Sequence, residues 1–218
     1  MKAPSARYDY VKTGPAIYAD SFATIRAEAD LSGVPPEAEK VAVRMIHGSG
    51  QVDLVSDLVI HPDLAPVGRT ALALGAPILC DARMVAMGVT AGRLPAGNDV
   101  HCFLPDERVP GLAAAWETTR TAAAVSLWEP HLEGAVVAIG NAPTALFHLL
   151  ELIADGGPRP AAIIGCPVGF IGAAESKEAL IAFAGETGID VPYVTVRGRR
   201  GGSAMASSAL NALAQEEE

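Results

Sequence analysis

Six short apolar segments, several of them rich in β-branched residues, constrain the fold of this chain more than any other feature of its sequence. They lie at residues 58–60, 77–80, 100–103, 135–139, 161–164 and 192–196. Helix-length segments separate most of them, at 64–75, 82–89, 109–131, 143–155, 174–187 and 203–214. Apolar strands without polar alternation, interleaved with helices, indicate a parallel sheet covered on both faces. The sequence therefore predicts a doubly wound α/β fold with a mainly parallel sheet.

Two helices are predicted ahead of the first strand. Residues 15–31 carry apolar side chains at helical spacing, with charged residues between them. The second helix begins near Pro35-Pro36-Glu37 and ends near Gly48, which we expect to adopt the left-handed conformation that closes a helix. This N-terminal helical lead-in is followed by no internal repeat and no dividing linker. We therefore expect one domain over residues 1–218.

The composition limits the classes of partner. Half of the residues are hydrophobic and only 19% are charged, which favours a sizeable core over disorder. The formal net charge is −9, which argues against nucleic acid as a partner. An anionic small molecule remains compatible with this charge, because local arginines decide such binding.

The cysteine pattern and the lack of a long apolar stretch favour the cytoplasm as the location of the protein. Cys80, Cys102 and Cys166 are odd in number and widely spaced, and they predict neither a disulfide framework nor a metal site. The first residues lack the apolar region of a signal peptide, and the longest uncharged stretch, 134–150, is too short to cross a bilayer. We expect a cytoplasmic protein with no membrane segment.

His47 is the strongest single candidate for chemistry. It is predicted to lie in the last turn of its helix, where a protonated imidazole is favoured by about 0.3–1 kcal/mol, as suits a proton donor. A histidine at a helix end is more often a cap or a packing residue, and spacing alone leaves that alternative open. His61, His101, His131 and His148 show no metal-site spacing and are interpreted as structural.

The loops that follow the predicted strands hold the candidate binding residues. The turn 197–203 carries three arginines and three glycines between a strand and a helix, which predicts an anion site, with a solvated basic loop as the alternative. Asn141 either donates its amide to a ligand or closes its turn. Thr90 and Arg93 form a further candidate wall. Further arginines that could add positive charge to the anion site of the turn 197–203 are Arg44, Arg69, Arg83, Arg93 and Arg120.

Five segments together carry a resemblance to a known family. The segment Arg44-Met-Ile-His-Gly-Ser-Gly50 and the upstream residues 12–26 closely resemble precorrin-8X methylmutase (precorrin isomerase) of vitamin B12 biosynthesis. Residues 140–151, 165–177 and 197–206 extend this similarity to nearly the whole chain. Gly48 departs from the usual Ala or Cys after the histidine, which affects the fit near His47.

The resemblance implies an isomerase that moves a methyl group from C-11 to C-12 of precorrin-8X and gives hydrogenobyrinate. It further implies a flavodoxin-like three-layer fold, a homodimer and no cofactor or metal. By resemblance, His47 is the catalytic acid. The substrate-binding residues implied in the same way are Ser21, Arg44, Gly48, Thr90, Arg93, Arg120, Asn141 and Arg197.

The chemistry agrees with these residue types. A methyl shift around a conjugated ring can proceed as a sigmatropic rearrangement, and one acid with a pKa near 6.5 suffices to make the receiving carbon electron-poor. The carboxylates of the substrate need arginines and backbone N–H groups. The overall likeness favours the metal-free over the cobalt-bearing substrate. The alternative from another class is a non-catalytic flavodoxin-like module that binds a nucleotide or a tetrapyrrole at the turn 197–203.

Overall fold

Six strands form one central sheet in the computed structural model, which describes residues 1, 5 and 7–215. The strands are β1 (Leu58–Ile60), β2 (Ile78–Cys80), β3 (Val100–His101), β4 (Val136–Ile139), β5 (Ala162–Gly165) and β6 (Tyr193–Val196). Five lie within their predicted segments, β5 extends one residue past the predicted 161–164, and the predicted mainly parallel α/β sheet is confirmed. The predicted domain 1–218 also includes residues 2–4, 6 and 216–218, which lie outside the described residues.

The order of the strands identifies the edge where a ligand is expected. The sheet runs β1-β6-β5-β4-β2-β3, and every neighbouring pair is parallel except β1 with β6. The five parallel strands therefore have the order that is typical of flavodoxin, and the chain reverses its direction of winding between β2 and β4. In such sheets, ligands bind beyond the carboxyl ends of the strands at this switch point.

Ten α-helices of the described chain cover the two faces of the sheet. They are α1 (Gly14–Glu28), α2 (Glu39–Ser49), α3 (Leu64–Ala73), α4 (Arg83–Gly88), α5 (Val109–Ala115), α6 (Arg120–Ser126), α7 (Glu129–Leu132), α8 (Pro143–Ala154), α9 (Ala173–Thr187) and α10 (Ser203–Ala214). Short 3₁₀ turns lie at Pro36–Ala38, Val52–Asp57 and Ala91–Arg93.

The helix predicted over 109–131 is wrong, since three short helices occupy this segment. Glu117 adopts a left-handed backbone conformation with φ of 50°, which ends the first of them. The Thr119 side chain then accepts a hydrogen bond from the Ala122 N–H and so caps α6. Pro130 is the second residue of α7, in the first turn, where its missing N–H costs nothing.

Alternate residues of the strands point into two helical layers. In β4, Val136 and Ala138 pack with α1–α4 and α10, whereas Val137 and Ile139 pack with α6–α9. All four side chains of β4 are fully buried. This burial on both faces explains why the strands show no polar alternation in the sequence.

The helical lead-in packs outside the first layer. α1 packs on α2 through the buried side chains of Phe22 and Ile25, and α2 in turn packs against α10. The prediction that Gly48 closes α2 is wrong. Gly50 closes the helix with φ of 66°, and its N–H donates to the Ile46 carbonyl. Gly48 stays helical, and a Cβ there would collide with the Ser208 hydroxyl of α10.

Candidate active site

His47 lies in the last turn of α2, where α1 supplies its neighbours. The Ser21 hydroxyl oxygen is 2.8 Å from Nδ1 of the imidazole. The rings of Tyr18 and Phe22 each lie 5.3 Å from the imidazole, centre to centre, and Phe22 meets it edge-on. These three residues of α1 share one helical face, because their spacing is i, i+3 and i+4. The half-buried imidazole is therefore held in one orientation.

The hydrogen bond to Ser21 separates the roles of the two ring nitrogens. In the neutral imidazole, a hydroxyl that donates to Nδ1 leaves the proton on Nε2. In the charged imidazole, Nδ1–H donates to the Ser21 oxygen instead. Within the described part of the chain, Nε2 of His47 has no hydrogen-bond partner. Nε2 is consequently the nitrogen through which His47 can exchange a proton with a ligand.

The environment of His47 favours the neutral imidazole. Burial lowers its pKa below the ordinary 6.5, and the positive charge of Arg44 lowers it further. These two effects oppose the preference for a protonated imidazole that we expect from the helix C-terminus. Arg44 is itself buried, and its guanidinium stands 5.1 Å from the Phe22 ring centre and 5.8 Å from that of Tyr18.

A cleft of about 570 Å³ opens beside these rings, and we call it the α1–α2 cleft. Tyr18 and Phe22 form its aromatic wall, and Arg44, Thr90 and Arg93 line it as well. Three of the predicted binding residues therefore meet in one cavity, and His47 and Ser21 adjoin it through the aromatic rings. A flat, apolar ligand with acidic side chains fits a cleft that combines ring faces with guanidinium groups.

The wall that holds Thr90 and Arg93 is fixed from α10. The Asn211 side chain accepts a hydrogen bond from the Thr90 N–H and donates one to the Gly88 carbonyl, each at 2.8 Å. Gly88 packs so closely on Ser207 that a Cβ there would lie 2.5 Å from its hydroxyl oxygen. α10 therefore sets the position of the wall, although it contributes no charged side chain to the cleft.

At the switch point between β2 and β4, a carboxylate of the protein itself occupies the backbone N–H groups that a ligand would use. The buried Asp81 carboxylate accepts hydrogen bonds from the N–H groups of Gly140, Asn141 and Ala142, at 2.9, 3.0 and 2.7 Å. Burial raises the pKa of Asp81, and the three N–H groups oppose that rise. The amide groups that would cradle a phosphate are thus already satisfied. Only the exposed Asn141 side chain remains available to a ligand.

Two of the three arginines of the turn 197–203 form ion pairs with acidic side chains of the protein. Arg197 forms an ion pair with Glu178 of α9. Arg200 bonds to Asp53 at 2.9 Å and to Asp57 at 2.5 Å. Arg199 stands 5.1 Å from the centre of the Phe170 ring. The alternative of a solvated basic loop agrees better with this geometry than a preformed phosphate site does.

The last predicted binding residue lies in the other helical layer. Arg120 is exposed at the start of α6, which packs against α8 on the face of the sheet opposite to His47. The structure therefore brings together Ser21, Arg44, His47, Thr90 and Arg93. It leaves Arg120, Asn141 and Arg197 outside the α1–α2 cleft, while Gly48 contacts α10 beside His47.

Sequence reasoning missed the aromatic wall and the Asp81 contact. Tyr18 and Phe22 were available as signals, since they share a helical face with Ser21. In the described chain, no three His, Cys, Asp or Glu side chains are close enough together to hold a metal ion. No helix in that part of the chain has the length and apolarity to cross a membrane.

Comparisons with known proteins agree with this site. The sequence profile described as CbiC, precorrin-8X methylmutase, matches residues 16–216. Precorrin-8X methylmutase of Pseudomonas aeruginosa is 60% identical over 96% of this chain and 99% of its own length. Cobalt-precorrin-8 methylmutase of Leptospira interrogans is 36% identical over 88% of this chain and 89% of its own.

A solved structure of a family member has the same fold as this chain. The crystal structure of precorrin-8X methylmutase from Thermus thermophilus superimposes with a TM-score of 0.81 and 38% identity. It covers 92% of this chain, which in turn covers 95% of that one. The chain thus belongs to the precorrin-8X methylmutase family.

Proposed function

We propose that this protein is an isomerase that converts precorrin-8X into hydrogenobyrinate by moving a methyl group from C-11 to C-12. One observation carries the proposal beyond family membership. His47 is held by Ser21 and by two aromatic rings at the edge of a cleft that is lined by Arg44 and Arg93. A rearrangement of this kind needs one positioned acid, a flat apolar wall and cations for carboxylates, and the cleft combines all three.

In this proposal, His47 protonates the macrocycle through Nε2. The added proton makes the receiving ring carbon more electron-poor, the methyl group migrates, and a proton leaves to restore the conjugated product. Proton and methyl are both conserved, so the step is an isomerisation that uses neither cofactor nor nucleophile. Ser21 accepts from Nδ1–H while His47 is charged, and the proton on Nε2 is the one that transfers.

The charge of the substrate supplies the proton affinity that the free site lacks. Arg44 and burial lower the pKa of His47 in the ligand-free protein. Substrate carboxylates that approach Arg44 and Arg93 oppose the positive charge near the imidazole, and they raise its pKa. His47 therefore becomes an acid in the complex, where the proton is needed. By family resemblance, the proposed binding set also includes Thr90 in the cleft and Gly48 beside His47. Asn141, Arg120 and Arg197 belong to the set on the resemblance alone, since they lie outside the α1–α2 cleft.

The names of the relatives support a choice between the metal-free and the cobalt-bearing substrate. The relative that is named for the metal-free substrate is much more similar to this chain than the relative that is named for the cobalt form. We therefore assign the metal-free substrate. Competition between the two forms in one reaction tests this choice, and preferential conversion of the cobalt form contradicts it.

The assembly and the location belong to the same proposal. We propose one domain over residues 1–218 that forms a homodimer, as the family resemblance implies, and that acts in the cytoplasm. The segment 112–127 is the remaining alanine-rich candidate for the dimer contact. The expectation that α10 could form this contact is wrong, because α10 is buried within the protomer against α2, α3 and α4. Sedimentation at micromolar concentration tests the dimer, because a single species near 22.4 kDa is a monomer.

Absorbance spectroscopy on the purified protein tests the reaction itself. Conversion of precorrin-8X gives a fully conjugated corrin and a new visible spectrum. A non-catalytic binding module only shifts a band that is already present. If the spectrum of the unbound substrate returns unchanged after the protein is removed, the protein binds without catalysis and the isomerase proposal fails.

A further inference from the structure

A second cleft, of about 440 Å³, lies beside the α1–α2 cleft, and we call it the α3–α10 cleft. Arg69 of α3 and Arg93 line it together with Leu94, Pro95 and Leu213. The two clefts share Gly92, Arg93 and Gln215 as lining residues. A ligand whose ring lies against Tyr18 and Phe22 can therefore extend a side chain past Arg93 toward Arg69.

Arg69 lacks the partners that a partly buried guanidinium normally has. Its Nε atom is buried without a hydrogen-bond partner in the described structure. The ion pairs found within residues 1, 5 and 7–215 include neither Arg69 nor Arg93. The partly buried Arg200, by comparison, reaches two carboxylates. A buried N–H without a hydrogen-bond partner is unfavourable, and an anion bound beside Arg69 would supply the missing acceptor together with a counter-charge.

The surroundings of Arg69 strengthen its attraction for an anion. Leu94, Pro95 and Leu213 place apolar atoms around the cleft, and a low local dielectric strengthens charge interactions. The chain carries 25 acidic and 16 basic residues, so an abundance of cations does not explain two arginines that have no carboxylate partner among residues 7–215. Guanidinium groups bind planar carboxylates through two parallel hydrogen bonds, which an ammonium group cannot do.

We propose that the α3–α10 cleft is a carboxylate subsite, in which Arg69 and Arg93 hold an acidic side chain of the ligand whose ring occupies the α1–α2 cleft. This inference rests on the proposed function for the identity of the ligand. It adds Arg69 as a residue that selects ligands with a free carboxylate at that position. A corrin that carries an amide there loses the ionic contact and leaves Arg69 without its counter-charge.

Binding of hydrogenobyrinate, followed by its absorbance, tests the subsite without any turnover. We expect Arg69→Gln to weaken hydrogenobyrinate binding by about 10–100-fold, because hydrogen bonds to charged groups are lost. Arg69→Lys keeps the charge but not the planar fork, so we expect an intermediate loss. Arg108→Gln is the matched control, since it removes one positive charge from an exposed arginine that pairs with Asp106 elsewhere on the surface.

A second ligand separates ionic recognition from general packing. The same corrin with its side-chain carboxylates converted to amides should bind wild type and Arg69→Gln with similar affinity. The subsite is wrong if Arg69→Gln binds hydrogenobyrinate as Arg108→Gln does, if it loses affinity for both corrins equally, or if wild type binds neither. If wild type binds hydrogenobyrinate through Arg69 yet converts no precorrin-8X, the subsite stands and the proposed reaction fails.

Discussion

Two groups of arginines lie near opposite ends of α10, one in the turn that precedes it and one in the cleft beside its last residues, and their surroundings differ. In the turn 197–203, Arg197 and Arg200 face Glu178, Asp53 and Asp57. In the clefts near His47, Arg69 and Arg93 have no carboxylate partner in the described structure. The number of arginines is similar in the turn and in the clefts, so the number does not explain the difference. The acidic side chains that the fold brings beside them decide which group is available to an anionic ligand.

This difference indicates that the turn 197–203 stabilises the fold, whereas the clefts near His47 bind the ligand. The buried Lys177 ammonium donates to the Arg200 carbonyl at 2.6 Å, which fixes the turn from α9. The ion pairs of Arg200 connect the same turn to the 3₁₀ segment Val52–Asp57. The switch-point amides are likewise occupied by Asp81. A nucleotide-binding module would need these arginines and N–H groups to be free. The geometry therefore favours the cleft beside His47 as the ligand site.

The largest expected effect separates catalysis from binding within the cleft region. His47→Ala should lower turnover by about 10²–10⁴-fold, as loss of a general acid does, while hydrogenobyrinate affinity stays within a few-fold. His131→Ala, which removes an exposed histidine in the other layer, is the control. Steady-state turnover and a binding titration on each variant provide the measurement. Near wild-type turnover by His47→Ala would return His47 to the role of a helix-end packing residue.

The structural role of the turn is tested by Gly201→Ala. A Cβ at this position meets the carbonyl oxygens of both Cys166 and Pro167, which belong to the backbone and cannot rotate away. We expect the free energy of unfolding to fall by about 1–3 kcal/mol in a urea titration. Gly185→Ala is the control, since its Cβ would enter open space on α9 and should not destabilise. Equal stability of the two variants contradicts the assignment.

Arg197→Ala tests whether the turn also contributes to binding. By family resemblance, Arg197 contacts the substrate, and its loss should then weaken hydrogenobyrinate binding by about 1–3 kcal/mol. Arg197 and Glu178 are each about half exposed, with relative side-chain exposures of 47% and 48%. Their ion pair is therefore weak enough for a substrate carboxylate to replace Glu178. An unchanged dissociation constant would show that Arg197 pairs with Glu178 and does not contact the ligand.

Most of the fold was predictable because burial on both faces leaves a direct trace in sequence. All six strands coincide with the predicted segments to within one residue at their ends or lie inside them, and the helices predicted at 64–75, 143–155 and 203–214 were close to their observed bounds. The subdivision of 109–131 was not predictable from apolar content, because it depends on the backbone conformation of a single residue, Glu117. The antiparallel pairing of β1 with β6 joins segments that are distant in sequence.

The site was predictable in kind but not in arrangement. His47, Ser21 and Arg44 came from short motifs, and the structure places them together. The pairing of Arg200 with Asp53 and Asp57 spans more than 140 residues, so no local pattern announces it. The sequence is equally silent about Arg69, because its lack of an acidic partner within the described residues is a property of the three-dimensional arrangement.

The electrostatic coupling within the cleft region is tested by Arg44→Gln. Arg44 and burial both lower the pKa of His47, so removing the positive charge should raise that pKa toward its ordinary 6.5. An NMR titration of the imidazole Cε1–H measures it. In wild type, the folded pKa lies below the unfolded value, so stability attributable to His47 is present above pH 6.5 and is lost as the pH falls through the folded pKa. Equal titration midpoints in both proteins contradict the coupling.

The smallest expected effect comes from the partner of Arg197. Glu178→Gln removes the competing carboxylate, leaves the side chain nearly the same size and keeps Arg197 in place. If Arg197 exchanges Glu178 for a substrate carboxylate, hydrogenobyrinate should bind tighter by up to about fivefold, since an exposed ion pair contributes about 0–1 kcal/mol. Glu151→Gln, an exposed change on α8, controls for the loss of one negative charge. The gain should shrink as salt rises, because screening weakens the ion pair that the wild type must break. An equal gain in both variants would reflect net charge alone, and it would leave the turn with a purely structural role.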